Sequence, residues 1–286
     1  MSTLPLSQHE AQSFASGKGH GDENFPVASH LVAPRFRAPI MAFYRFARAA
    51  DDIADHPDAL PEDKLAALAR MRAGLDGEGA PEAMALAASM AQRGIDPVHA
   101  HELLDAFVQD VTVRRYAHWD DLIAYCRLSA VPVGRFVLDV HGESRETWPA
   151  NDALCAALQI NNHLQDCAKD YAAIDRVYLP TTMLEAAGAR VEDLAAPASS
   201  RGLREVIVEC ARRNGELLAQ SAPFARSIRD RRLGAEVAVI QALAEDLCTR
   251  LQRQDPLAVR IEHSKPQAAL IAARAVAAHF LTGRRR

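Results

Sequence analysis

The sequence predicts an all-α protein, and three observations carry that prediction. From Asn24 onward almost every long segment spaces its apolar residues at a helical period rather than in alternation. Glycine or proline punctuates the breaks between those segments, and no stretch has the alternating, turn-bounded pattern of a strand. The chain has 286 residues, 49% apolar and 24% charged, with no internal repeat and no linker long enough to divide it. One helical domain is the economical organisation. The expected layout is a flexible arm over residues 1–22, a helical domain over 23–281 large enough to enclose a central cavity, and a basic tail over 282–286.

The arm is polar and glycine-rich. Its Gly17-Lys18-Gly19-His20-Gly21 run lacks the spacing of a phosphate-binding loop and follows no strand. It has no basic region leading into an apolar core, so neither a signal peptide nor a transit signal is expected. A first helix is expected from Pro39 to Asp55, with Pro39 in its first turn and His56-Pro57 stopping it. Ile40, Met41, Phe43, Phe46, Ala50 and Ile53 form its apolar side, and Tyr44, Arg48, Asp51, Asp52 and Asp55 a polar stripe. Helices follow over Glu62 to Leu75, Pro81 to Gln92 and, after Gly94-Ile95-Asp96-Pro97, Val98 to Val113. The next, Trp119 to Val140, contains Ser129-Ala130-Val131-Pro132-Val133-Gly134. That insertion predicts either a kink allowing close approach of a neighbour or a plain helix boundary.

The stretch around which the chain is organised is expected as one helix from Asp152 to Ala173. Later helices are expected over Arg204 to Ala219, Leu233 to Arg253 and Pro266 to Leu281. The last is apolar nearly all round, with Arg274 its only charge, and Arg284-Arg285-Arg286 follow it. Burial is its default, and a place in a membrane surface is the alternative. No window approaches the roughly 18 apolar residues of a membrane span, so a cytoplasmic protein is expected.

Within the organising stretch Asn162, Asp166 and Asp170 recur every fourth residue. On a helix each step drifts only about 40°, so three oxygen donors share one face. Asp51, Asp52 and Asp55 form a second acidic patch about a hundred residues upstream. Hard oxygen ligands suit Mg²⁺, which keeps waters and is shared with substrate phosphates. Two such patches could grip one diphosphate, with Arg48 and Arg176 neutralising the same anion. The competing reading is a solvated helix face with ordinary i,i+4 pairing among Gln165, Asp166, Lys169 and Asp170.

Other chemistries lack support. A net charge of −4 and five cysteines without a C-x-x-C pair argue against nucleic acid binding and for free thiols in a reducing compartment. There is no H-E-x-x-H, no Glu-x-x-His, no G-x-S-x-G and no dinucleotide fingerprint. His163, inside the acidic stripe, reads as a packing or surface residue.

Taken together, the motifs resemble the squalene and phytoene synthases, all-helical head-to-head prenyl transferases. The resemblance spans Asn24 to Pro180. It rests on Asp51-Asp52-Ile53-Ala54-Asp55 preceded by Tyr44 and Arg48, on Asn162 through Asp170 with Gln159 one turn earlier, and on Arg176-Val177-Tyr178-Leu179-Pro180. Tyr125-Cys126-x-x-Ser129-Ala130-x-x-Val133-Gly134 resembles the family's bent central helix. The resemblance implies an isoprenoid-synthase bundle with a central cavity. It assigns Asp51, Asp55, Asn162, Asp166 and Asp170 to Mg²⁺ and the diphosphate, Arg48 and Arg176 to the phosphates, and Tyr44, Tyr125 and Gln159 to the cavity lining. Asp52 fits less well, because it points about 100° from Asp51.

Glu23-Asn24-Phe25-Pro26-Val27-Ala28-Ser29 and Asn161-Asn162-His163-Leu164-Gln165-Asp166-Cys167 look like the hydroxysqualene synthase branch of bacterial hopanoid synthesis. That branch takes presqualene diphosphate, expels diphosphate and adds water, so no nicotinamide is expected. The sister reaction, condensing farnesyl or geranylgeranyl diphosphate to presqualene diphosphate, squalene or phytoene, would use the same metal residues, and a non-catalytic helical scaffold is the third reading. Gln165 stands where many relatives carry arginine, which suggests one phosphate contact fewer. Phe43, Tyr44, Tyr125 and Phe136 are candidates to stabilise a carbocation through their ring faces. A thirty-carbon lipid product implies peripheral membrane contact and handover to enzymes of the same pathway.

Overall fold

A computed structural model describes residues 32–282 of the chain. The expected arm, the Glu23 to Ser29 wording and the terminal arginines lie outside those residues. Thirteen α-helices and two 3-10 turns make up the described fold, and its only β pairing is an isolated bridge between Arg115 and Val177. The helices group into two compact units, residues 32–112 with Phe136–Gly142, and Val113–Arg135 with residues 143–282.

The first unit is built from α1 (Pro34–Ala54), α2 (Pro61–Leu75), α3 (Pro81–Ala91), α4 (Val98–Thr112) and the later turns of α6 (Val131–His141). The first three begin with proline, whose missing N–H costs nothing in a first turn. For α1 that proline is Pro34, not Pro39 as the sequence suggested. Pro39 lies inside the helix and cannot donate to the Arg35 carbonyl. The Arg93 guanidinium supplies the missing donor, 2.8 Å from that oxygen, so the helix runs through its proline. Phe46, Leu68, Met71, Leu86, Leu103, Leu104 and Phe136 are almost fully buried between these helices. Each is worth roughly 1.5–3 kcal/mol of apolar transfer, and together they form this unit's core. Phe43 stacks on Phe136 at 4.2 Å between ring centroids, which makes both rings part of that core.

The second unit is organised on α7 (Trp148–Gln165). It packs against α5 (Trp119–Ser129), α10 (Arg201–Ser221) and α12 (Arg231–Arg253). The expected single helix over Trp119 to Val140 is two. Ala130 breaks it with φ −124°, and Pro132 falls in the first turn of α6, where it is tolerated. Gly134 then meets α7 closely: a Cβ there would sit 2.2 Å from Asn151 Oδ1 and 2.6 Å from Cys155 Sγ. The close approach that the Pro-Gly insertion predicted is therefore present.

The stretch over Asp152 to Ala173 is also interrupted, by Asp166 at φ −100°, ψ 8°, and continues as α8 (Cys167–Ile174). Two short helices, α9 (Thr181–Ala186) and α11 (Phe224–Ser227), escaped the sequence reading because neither is long enough to show a period.

The last helix, α13 (Lys265–Thr282), differs from its expected burial. It lies along α12, where a Cβ on Gly234 would approach His279 to 2.9 Å, but none of its described side chains is buried. Leu270 is 53% and Leu281 69% exposed. An apolar pattern all round suggested a helix surrounded by protein, whereas only one side is covered. Among the described residues no helix is long and apolar enough to cross a membrane.

Candidate active site

The first acidic patch occupies the last turn of α1. Arg48 Nη1 lies 2.9 Å from Asp51 Oδ2, and Arg48 Nη2 is hydrogen-bonded to Asp52 Oδ1. The arginine thus bridges both carboxylates, and Asp52, expected to diverge, is the less exposed of the two at 11% against 38%. Asp55 caps the helix, its N–H donating to the Asp51 carbonyl at 2.9 Å. Lys64 donates to the Ala54 carbonyl at 3.0 Å. Three carboxylates at a helix C-terminus sit where the helix dipole is itself negative. Such an end attracts cations, as Arg48 and Lys64 already demonstrate. Tyr44 is half-buried one turn before Arg48.

The second patch straddles the junction of α7 and α8. Asn162, Asp166 and Asp170 are all half-buried, and the backbone ladder continues through them: Asp166 N–H donates to Asn162 O at 2.9 Å and Asp170 N–H to Asp166 O at 2.8 Å. Lys169 Nζ lies 3.2 Å from Asp166 Oδ2, the kind of local pair that the solvated-face reading anticipated. Gln159 is half-buried one turn before Asn162.

Buried amides fix the height of this helix. Asn214 Nδ2, on α10, donates to Ala157 O at 3.0 Å and to Asn161 Oδ1 at 2.9 Å, while Asn161 Nδ2 donates to Ala244 O on α12 at 3.0 Å. Gln165 Nε2 donates to Ile261 O at 2.5 Å and so ties α7 to the segment before α13.

Beyond α8 the chain turns through Asp175, whose left-handed backbone (φ 51°) is the one such non-glycine conformation among the described residues. Arg115 donates to both the backbone and the side-chain oxygens of Asp175, and Arg114 Nη1 to Ile174 O at 2.8 Å. Val177 N–H then bonds Arg114 O at 2.9 Å and Thr181 N–H bonds Tyr116 O at 2.9 Å. This strap buries Arg176, 7% exposed, with Nη1 donating to the Tyr178 hydroxyl at 3.3 Å. Nothing in the spacing of Arg114 and Arg115, sixty residues away, links them to Asp175. Only the folded strap shows their role.

Four rings gather beside the strap. Tyr125 lies 5.6 Å from Tyr178 and 5.3 Å from Tyr116, and Tyr116 is stacked on Tyr178 at 5.8 Å. The fourth is His163, flat on Tyr178 at 3.4 Å and 5.9 Å from Tyr125. Burial, reinforced by the Arg176 charge, pushes the His163 pKa down to about 3. The sequence reads it as a packing or surface residue, and its burial against Tyr178 makes it the former, with Tyr125 and Arg176 as further neighbours.

Among the described residues no three His, Cys, Asp or Glu side chains form a ready-made metal cage. Mg²⁺ does not require one, because it retains waters and shares substrate phosphates. The donors present are carboxylates and one amide, with the first set at the negative end of a helix. That chemistry fits Mg²⁺ and does not favour a soft metal.

Known proteins resemble this chain in sequence and in fold. The sequence profile of the squalene/phytoene synthase family matches residues 18–270. The hydroxysqualene synthase of Rhodopseudomonas palustris is 54% identical over 90% of this chain and 88% of its own length. That of Zymomonas mobilis is 52% identical over the same shares. The crystal structure of squalene synthase HpnC from Alicyclobacillus acidocaldarius superposes with a TM-score of 0.72 at 29% identity, covering 86% of this chain and 93% of that one. This chain belongs to the squalene/phytoene synthase family and has its all-helical isoprenoid-synthase fold.

Proposed function

We propose that this protein converts presqualene diphosphate to hydroxysqualene in hopanoid synthesis, releasing diphosphate and consuming water. The observation that carries the proposal is the identity of 52% and 54%, over nine-tenths of the chain, to relatives named hydroxysqualene synthase. Asp51 and Asp55 of the first patch, and Asn162, Asp166 and Asp170 of the second, are the residues that would hold Mg²⁺ with the diphosphate. Bound Mg²⁺ supplies Lewis-acid stabilisation of the departing anion.

The chain's own residues do the rest. Arg48 exchanges part of its pairing with Asp51 and Asp52 for the phosphate oxygens, and buried Arg176 offers a second cation. Asp52 keeps Arg48 in place. Tyr44, Tyr125 and Gln159 line the hydrocarbon's path, and aromatic faces stabilise developing positive charge by roughly 0.5–2 kcal/mol each. Water ends the reaction, so no nicotinamide is consumed.

The outer face of α13 rests on a membrane surface on the cytoplasmic side, where the thirty-carbon product can be handed to the next enzyme of its pathway. The exposed Leu270 and Leu281 support this, as does the sequence from Lys265 to Arg286, which contains no acidic residue. Pelleting with anionic vesicles, lost in L270E/L281E, tests that contact.

The central test supplies purified protein and Mg²⁺ with presqualene, farnesyl or geranylgeranyl diphosphate in turn, without NADPH, and identifies products by mass spectrometry. Hydroxysqualene from presqualene diphosphate is expected. Condensation of farnesyl diphosphate without any alcohol product would instead identify a sister prenyl transferase.

A further inference from the structure

His163 is 4% exposed, and neither of its ring nitrogens has a hydrogen-bond partner, although both atoms are shielded from solvent. A neutral imidazole presents one N–H donor and one lone-pair acceptor. Leaving either unpaired in a buried site carries a desolvation penalty that phenylalanine or leucine at the same position would not incur. Stacking on Tyr178 does not explain the choice either, since a phenyl ring stacks as well. The chain therefore keeps a polar ring where packing alone would select an apolar one.

The position of that ring is informative. His163 follows Asn162 directly and lies one helical turn beyond Gln159, on the helix carrying the second acidic patch. The aromatic group around it contains Tyr125, and Arg176 reaches the hydroxyl of Tyr178, the ring on which it lies. The two nitrogens point to different sides of the ring, so a small ligand reaches one of them, and water, the smallest, can donate to a ring nitrogen or accept from it.

We propose that His163 holds the water molecule that becomes the hydroxyl group of the product. The inference rests on the reaction proposed above and names a residue for its second reactant. In that reaction the bond from carbon to the diphosphate oxygen breaks, and its electron pair leaves with diphosphate. The water oxygen donates a lone pair to the electron-deficient carbon, forming the new C–O bond. The resulting oxonium gives its surplus proton to an oxygen of the released diphosphate, so no oxidant or reductant is required. The imidazole accepts a hydrogen bond from the water and leaves an oxygen lone pair directed away from the ring. The surrounding tyrosines keep other waters out.

The test compares wild type with H163F, which preserves the stacked ring and removes both nitrogens, and with H163Q, which retains a polar terminus. Diphosphate release and the ratio of alcohol to deprotonated hydrocarbon are measured separately from presqualene diphosphate in ¹⁸O-labelled water. H163F is expected to release diphosphate at a rate close to wild type while the labelled alcohol fraction falls about three- to tenfold, the equivalent of one lost hydrogen bond. H163Q is expected to recover part of that fraction. A purely structural role would lower release and leave the product ratio unchanged, which would overturn the assignment. Should H163F fail to fold, an unchanged ratio in folded H163Q and H163N together would overturn it equally. A high-resolution crystal structure gives a readout independent of the reaction: an ordered water within hydrogen-bond distance of a His163 nitrogen is expected, and a dry ring refutes the proposal even if the enzyme makes the alcohol. If wild type makes no alcohol while the water is present at His163, the reaction assignment fails and the binding site stands.

Discussion

Gly134 and Asn151 approach so closely that a single methyl group on the glycine would lie 2.2 Å from the Asn151 side-chain oxygen. Asn151 is 2% exposed and has little room to move. G134A is therefore expected to destabilise the protein by about 1–3 kcal/mol, the usual cost of overpacking. Thermal unfolding followed by circular dichroism checks this, and N151A in the same chain should recover part of the loss by removing the obstructing amide.

Asp55 and Asp166 carry the metal assignment most directly, one from each acidic patch. D55N and D166N keep size and hydrogen-bonding capacity while removing the charge. Each is expected to lower kcat by about 10²–10³-fold with unchanged helical content. Near-wild-type turnover in both would remove the metal-binding role. D52N separates a supporting role from a ligand role, because its carboxylate is engaged with Arg48. A larger effect on KM than on kcat is expected there, since what is lost is the orientation of Arg48 toward the phosphates.

Much of this architecture is legible in the sequence because period and punctuation are local signals. Pro81 opens its helix as the sequence indicates and Glu62 is one residue from the observed start, whereas the sequence points to Pro39 in place of Pro34 for a non-local reason: Arg93, more than fifty residues later, satisfies the carbonyl that Pro39 leaves. The acidic patches were visible as spacing, and the close contact at Gly134 as an unusual residue pair. The strap was not, since the Arg115 to Asp175 pairing depends on a backbone turn at Asp175 with no distinctive residue type. The exposure of α13 was also hidden, because an apolar pattern reports what a helix can bury and not whether a partner lies on every side. The packing role of His163 was legible, but its unpartnered nitrogens were not, because hydrogen-bond satisfaction is a property of the folded neighbourhood and cannot be read from one letter in a motif.

The Asn161, Asn214 and Ala244 contacts predict a cooperative effect on the helix that carries the second patch. Asn214 is fully buried and its amide nitrogen serves two acceptors. N214A leaves both Ala157 O and Asn161 Oδ1 without that donor and should cost about 1–3 kcal/mol for each group left unsatisfied. N161A should cost less in the N214A background than alone, because the two side chains share one network. Chemical denaturation of the four proteins in that cycle measures the coupling, and strict additivity would show that the two amides act independently.

The five cysteines give a prediction about reactivity. Burial pushes the Cys155, Cys167 and Cys210 thiols up to about 12, Cys126 further still, and Cys248 upward as well. The thiolate is the nucleophile, so at pH 8 almost none is available in the folded chain. All five are free, and four are buried outright. Iodoacetamide at pH 8 should leave the native protein essentially unmodified, and denaturant should expose all five to rapid alkylation, counted by intact mass. Raising the pH toward 9.5 should accelerate labelling of the unfolded chain far more than that of the folded one, whose thiols burial holds above their ordinary range. Rapid native labelling of any one thiol at pH 8 would mean that its helix opens locally, and Cys155, the one that is only partly shielded by neighbouring residues, is the position where such opening would be detected first.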